Sequence, residues 1–313
     1  MAIISEKELN IESITWGKLT WMNIEKPTPR ETEYLAQNFP FHELDLDDCL
    51  SRVQRPKIDE YEDYLFLVLH FPVFSKEARV TTPSQVSIFV GENYVVTLHS
   101  GDLKPLVKLF RDCQLNEKAR DEHMGRSSGY LLYRIMDRLT DYCFPILNKV
   151  IENVERVESE VFDENARETI REISIIRRDL IAFRRIIRPQ IDAVKSLEQR
   201  GRPFLKEDLD VYFGDIGDHL EKIAGALDDY KEVIEGLKDT SDTLTSHRTN
   251  EVMRLLTIIA TIMLPVAVIA GILGMNIYPV VPGGSPLPFI IAMLVIVGIC
   301  GGMLAFFRYK RWI

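Results

Sequence analysis

Between Arg254 and Arg308 the chain runs for 53 consecutive positions without a single Asp, Glu, Lys or Arg, although 27% of the whole sequence is charged. A helix in the core of a soluble protein shows water a polar face, and nothing in this stretch supplies one. The charges are crowded elsewhere. Ahead of Leu255 stand 35 basic and 47 acidic residues, a formal −12, and behind the apolar stretch only Arg308, Lys310 and Arg311 remain. The stretch is long enough for two bilayer crossings of about 20 residues and a turn. Residues 255–274 and 287–307 are the expected crossings, joined by a Gly- and Pro-rich external loop over 275–286 and followed by a basic tail, 308–313. A purely soluble enzyme is thereby excluded, and the expectation is a membrane protein with a large soluble head.

Arg248 and Arg254 precede the first crossing, Arg308, Lys310 and Arg311 follow the second, and the loop between is uncharged. The positive-inside rule therefore puts both termini in the cytoplasm of a multi-pass protein. The opening MAIISEKELN is too polar for a cleaved signal. Cys49, Cys113, Cys143 and Cys300 have no metal-binding spacing and read as free thiols in a reducing compartment. The six histidines are scattered without paired ligand spacing. No glycine-rich phosphate loop occurs, no cofactor is expected, and an acidic head offers nucleic acid no attraction.

The head, residues 1–205, reads in two parts. Apolar and β-branched runs at Ile14 to Ile24, Tyr64 to Phe74, Gln85 to Val90 and Tyr94 to His99 predict strands, with Gly91-Glu92-Asn93 turning between the last two. Pro29 to Asn38 and Glu43 to Ser51 predict helices. From about Leu103 strand signals vanish. Leu131 to Phe162 and Glu168 to Ile187 carry apolar residues at helical spacing beside an acidic face of Glu152, Glu155, Glu158, Glu160, Asp163 and Glu164. That face is either a solvated surface or one that concentrates cations. The fold class expected is an α+β head, a long stalk helix over 206–254 and two C-terminal transmembrane helices.

Leu220, Ile223, Leu227, Tyr230, Ile234, Leu237, Ser241 and Leu244 alternate spacings of three and four, a heptad seam that reaches the first crossing without a break. A single helix from Phe213 to Leu273 would extend roughly 90 Å at about 1.5 Å per residue. Such a helix is expected to bury its seam against copies of itself, in a symmetric oligomer. Along the first crossing one face presents Asn250, Met253, Thr257, Ala260, Leu264, Ala267 and Gly271, with Leu256 beside Met253. A ring of these faces would form a narrow tube, polar at its lower mouth and apolar above, where Met253, Leu256 and Leu264 could gate by dewetting. The same face could instead pack against helices in lipid. No ionisable group sits within the crossings, as a proton-coupled carrier would need.

At the end of the first crossing stands Gly274-Met275-Asn276, preceded by Asn250-Glu251-Val252-Met253-Arg254-Leu255-Leu256-Thr257-Ile258-Ile259-Ala260-Thr261-Ile262. Together with Gln54-Arg55-Pro56-Lys57-Ile58, the run Tyr64 to Leu69 and the basic, aromatic ending, these residues resemble the CorA family of magnesium transporters from about residue 40 onward. The resemblance implies a funnel-shaped homopentamer in a bacterial or archaeal plasma membrane. Its activity would be channel-like uptake of magnesium, with cobalt or nickel tolerated. Gly274, Met275 and Asn276 would form the outer selectivity ring, and Asn250 the polar ring at the cytoplasmic end. It further implies a regulatory magnesium bound between subunits by Asp48 and Asp215, with Asp47 and Asp218 as neighbouring acids.

Two departures stand out: Leu273 where family members often have Tyr, and a loop from Ile277 to Pro288 that carries no acid. A zinc-transporting branch shares the two-span plan but usually lacks the methionine, so Met275 favours magnesium. The rival readings are a non-conducting coiled-coil receptor and a hydrolase. The latter rests on Gly125-Arg126-Ser127-Ser128-Gly129, a pattern that needs an apolar strand before the serine, whereas Lys118 to Met124 is polar.

Overall fold

The computed structural model describes residues 9–51, 54–162, 166–198, 208–274 and 287–310. They fall into two compact units, 1–238 and 239–313.

In the first unit a six-stranded sheet has the order β1-β2-β6-β5-β4-β3. Its strands are β1 (Ile11–Trp16), β2 (Leu19–Glu25), β3 (Lys57–Glu60), β4 (Tyr64–Ser75), β5 (Val80–Gly91) and β6 (Tyr94–His99). Only β2 and β6 pair in parallel; the other neighbours are antiparallel. Ile14 to Ile24 is therefore two strands rather than one. They turn at Gly17-Lys18, where Gly17 has φ +59, a left-handed conformation that costs a glycine little. β3 shows no strand signal of its own: Lys-Ile-Asp-Glu is too polar to read as a strand, and it is tolerated because it sits at the sheet edge with both faces only half-covered.

Tyr64 to Leu69 is buried at every position, as a strand with both faces covered must be. One face is covered by α1 (Pro29–Asn38) and α2 (Glu43–Leu50). There Tyr64, Phe66, Val68 and Phe89 pack with Leu35, Phe41 and Leu46. α1 starts on a capping box, Thr28 with Glu31. The other face, Leu65, Leu67, Leu69, Val86 and Ile88, joins a larger core with Leu106, Ile135, Phe183 and Leu227. These come from α3 (Lys104–Leu115), α5 (Ser128–Asp141), α7 (Ala166–Glu198) and the start of α8 (Asp210–Gly274). α4 (Glu117–Met124) and α6 (Cys143–Glu160) complete the helical layer. The expected helix from Leu131 is thus interrupted at Tyr142, which keeps right-handed helical angles.

A chain of hydrogen bonds crosses the sheet's interior: Trp21 Nε1 donates to Thr97 Oγ1 (3.1 Å), Thr97 to Asn23 Oδ1 (2.8 Å), and His99 Nε2 lies 3.0 Å from the same oxygen. Gly101 N–H donates to His99 Nδ1. Burial pushes His99 down to about 4, so the ring is neutral and can accept that bond. The edge of β4 beyond β3 is closed from α7, where the Gln190 amide accepts from His70 N–H and donates to His70 C=O.

The heptad seam is partly spent within the chain. Leu220, Ile223, Leu227, Ile234 and Leu237 are all buried in the head's own core. α7 runs beside this part of α8, with Arg184 paired to Asp228 and Lys195 to Glu221. Up to Leu237, therefore, the seam needs no second copy; seam spacing alone does not distinguish an intramolecular neighbour from an identical one. Ser127 caps α5, accepting from Tyr130 N–H at 3.1 Å, and follows helix α4 rather than a strand, which removes the hydrolase reading.

Candidate ion-conduction site

In the second unit, the later part of α8 and α9 (Leu287–Tyr309) form two apolar helices. On α8, Ile258 is buried and Thr261, Ile262, Pro265, Val266 and Ile269 are half-buried. On α9, Phe307 is buried and Ile296, Cys300 and Met303 are half-buried. Both sets repeat at three and four residues, so each helix has one more covered stripe.

Every residue named for the pore face lies off that covered stripe. Asn250, Met253, Leu256, Thr257, Ala260, Leu264, Ala267 and Gly271 are all exposed. The large ones are strongly so: Met253 by 58%, Leu256 by 63% and Leu264 by 68%. Thr257 donates its hydroxyl to Met253 C=O at 2.7 Å and Thr261 to Thr257 C=O at 2.6 Å. These bonds satisfy the donors inside the helix and leave each oxygen free to accept from water. Pro265 sits within the helix and has no N–H to offer the carbonyl of Thr261. α8 closes at Gly274; Met275 and Asn276 lie outside the described residues.

The acids of the head named for a regulatory ion lie on α2 and α8. Asp48, on α2, is already engaged: Lys57 Nζ lies 2.7 Å from Oδ2, and Gln54 Nε2 donates to Oδ1 at 2.6 Å. Lys57 also pairs with Asp59 and comes within 3.9 Å of buried Asp45. Partial burial works against the Lys57 ammonium, yet the hydrogen bonds it donates to Asp48 and Asp59 hold it above the ordinary lysine range. Burial raises Asp45, against the opposing hydrogen bond donated by Tyr64 at 3.1 Å.

Asp215, in the first turns of α8, is 57% exposed and stands 3.9 Å from His219 Nε2. Asp47 and Asp218 are exposed. Asp137 on α5, which sequence reasoning did not single out, is raised by burial and then by Asp141 and Asp215 nearby, Arg134 opposing. Its only signal in the sequence is the pair Asp137 and Asp141, one helical turn apart. Among the described residues no three His, Cys, Asp or Glu side chains meet in a group that could hold a metal ion.

An α/β head and an apolar helix long enough to cross a bilayer, bare over most of its surface, fit a membrane protein. The model of the CorA-like Mg2+ transporter protein family matches residues 16–311, and the chain belongs to that family. It is 32% identical to YfjQ of Bacillus subtilis over 98% of this chain and 94% of that one. It is 30% identical to the cobalt/magnesium transport protein CorA of Thermotoga maritima, over 94% of this chain and 83% of that one. Among solved structures, the complete CorA magnesium transporter from Methanocaldococcus jannaschii shares the fold with TM-score 0.79 at 24% identity, covering 96% of this chain and 94% of that one.

Proposed function

We propose that the protein is a channel for divalent cations, magnesium foremost with cobalt and nickel tolerated, taken up passively as a homopentamer. The observation that carries the reading is the bare stripe of α8. Eight residues named for a pore face are all exposed, as is most of that part of α8, in a chain of this family. Such a stripe is explained by copies of itself around an aqueous path.

In this reading α9 is the second crossing, both termini are cytoplasmic, and α8 lines the conduit in a bacterial or archaeal plasma membrane. Magnesium sheds water reluctantly, so a ring of Asn276 amides and Gly274 carbonyls beside Met275 would hold the hydrated ion through its shell. No fixed charge there would trap it. Asn250 would supply the second polar ring, and Met253, Leu256 and Leu264 the apolar constriction. An inside-negative potential of 100 mV contributes roughly 2.3 kcal/mol per charge, twice that for a divalent ion, and no pump is needed.

Closure would come from cytoplasmic magnesium between subunits at Asp48 and Asp215, with Asp47 and Asp218 in support. Because Lys57 already occupies Asp48, the ion must compete with that ammonium. Asp48→Asn with Asp215→Asn is expected to lift inhibition by internal magnesium, and unchanged inhibition would refute the assignment. The test of the whole reading is flux into proteoliposomes with magnesium, cobalt and zinc, using Asn276→Ala as the comparison. Magnesium flux falling at least tenfold in the variant supports the ring; intact flux removes it, and flux of zinc alone would move the protein to the zinc-transporting branch.

A further inference from the structure

Along α7, Arg177, Arg178 and Arg185 line an open groove of about 400 Å³, and Lys238 of α8 closes its far side, with Ile173 and Ile181 among its apolar wall. The part of the chain ahead of Leu255 carries a formal −12, so four cations in one groove need an explanation. They are poorly neutralised. Arg177 reaches Glu235 at 3.4 Å, but that carboxylate is also paired with Lys231 at 3.1 Å. Arg178 donates to the Ala78 carbonyl, a neutral acceptor. Arg185 and Lys238 are exposed and have no acidic partner among the described residues. Like charges held together without an anion repel, and a compact group of guanidinium forks is the arrangement that recognises phosphate oxygens in pairs.

We propose that this groove binds a free polyphosphate anion of the nucleoside triphosphate class. The cations would hold the phosphates, and the isoleucine wall would cover the less polar part of the molecule. The volume lies within the ordinary range for small-molecule sites, about 300–1,000 Å³. Several phosphates are required to answer several cations, so inorganic phosphate should bind more weakly. Because Lys238 belongs to α8 and the arginines to α7, the bound anion also ties these two helices together.

The experiment uses the full-length protein in detergent, in buffer stripped of divalent ions so that chelation of a regulatory metal cannot imitate binding. It is titrated by calorimetry with ATP, with inorganic phosphate, and with short-chain phosphatidylglycerol as the lipid source of the same chemistry. ATP is expected to bind at least tenfold more tightly than phosphate and to weaken as salt rises. Arg185→Gln with Lys238→Gln should weaken ATP at least tenfold while leaving the unliganded protein's unfolding temperature unchanged or higher. Equal ATP affinity in wild type and double variant overturns the proposal, as does binding of the lipid without ATP. A double variant that changes the mass of the assembly but not ATP binding also overturns it, and assigns the groove to a second copy of the chain. Magnesium flux does not enter the readout, so failure here leaves the transport reading standing, and the reverse.

Discussion

The two ends of α8 are built from similar residues and meet opposite fates. In the head, Leu220, Ile223 and Leu227 are at most 2% exposed, because α7 and the sheet's helical layer close over them. In the second unit, Leu255, Leu256 and Leu264 of the same helix are 60% or more exposed. One chain can finish the first environment and cannot finish the second. In the proposed channel that apolar surface is covered by lipid on some faces and by identical helices on another. The polar residues follow the same division: buried ones in the head are networked through Trp21, Asn23, Thr97 and His99, whereas the threonines of the second unit bond back to their own helix.

Substitutions of equal size on this one helix sharpen the contrast most. Leu227→Ala should cost about 2–5 kcal/mol of head stability through lost burial and the cavity left behind. Leu264→Ala should cost under about 0.5 kcal/mol in detergent. Denaturant unfolding followed by circular dichroism reads both, and equal costs would erase the distinction.

Next comes pH. The folded pKa of His99 lies below its unfolded value of 6.5, near 4. The stability that depends on a neutral ring is therefore complete above about pH 6.5 and lost as pH falls toward 4. The loss is on the order of 3 kcal/mol, as protonation destroys the acceptor that Gly101 uses. His99→Gln should flatten that part of the curve, which unfolding midpoints between pH 7 and 4 will show.

Smaller again, Thr28→Ala removes the box that starts α1 and should cost about 1 kcal/mol. The smallest change is Glu221→Gln. Its pair with Lys195 is nearly half exposed on both sides, so the expected loss is below about 0.5 kcal/mol and vanishes in high salt. A larger effect would mean that the α7–α8 contact rests on surface charge rather than on buried leucine.

Much of this was legible from residue types. The charge-free stretch marked the second unit, and Pro29 to Asn38 matched α1 because the Thr28 cap and Asn38 bracket it. Other features were hidden for physical reasons. Gly17-Lys18 makes a two-residue turn inside a run that is β-prone on both sides, so β1 and β2 merged on reading. β3 is polar because an edge strand with half-covered faces needs no apolar alternation. The seam through Leu220 to Leu237 carries the coiled-coil pattern, but pattern does not reveal whose helix fills it. At the site, helical spacing groups Asn250 to Gly271 on one face of α8, since 3.6-residue geometry alone fixes which side chains share it. The engagement of Asp48 by Lys57 could not be read, because it depends on bringing β3 beside α2.

In the proposed channel the exposed face of α8 around Leu264, and not the half-buried one around Ile262, lines a path formed by several copies. Single cysteines placed at Leu264 and at Ile262 in the full-length protein test it directly, by magnesium uptake into proteoliposomes with and without added cadmium. A ring of thiolates around a narrow path binds cadmium tightly, so Leu264→Cys should be blocked while Ile262→Cys and the wild type, with its own Cys300 half-buried, continue to conduct. Block at Ile262→Cys with none at Leu264→Cys would contradict the account.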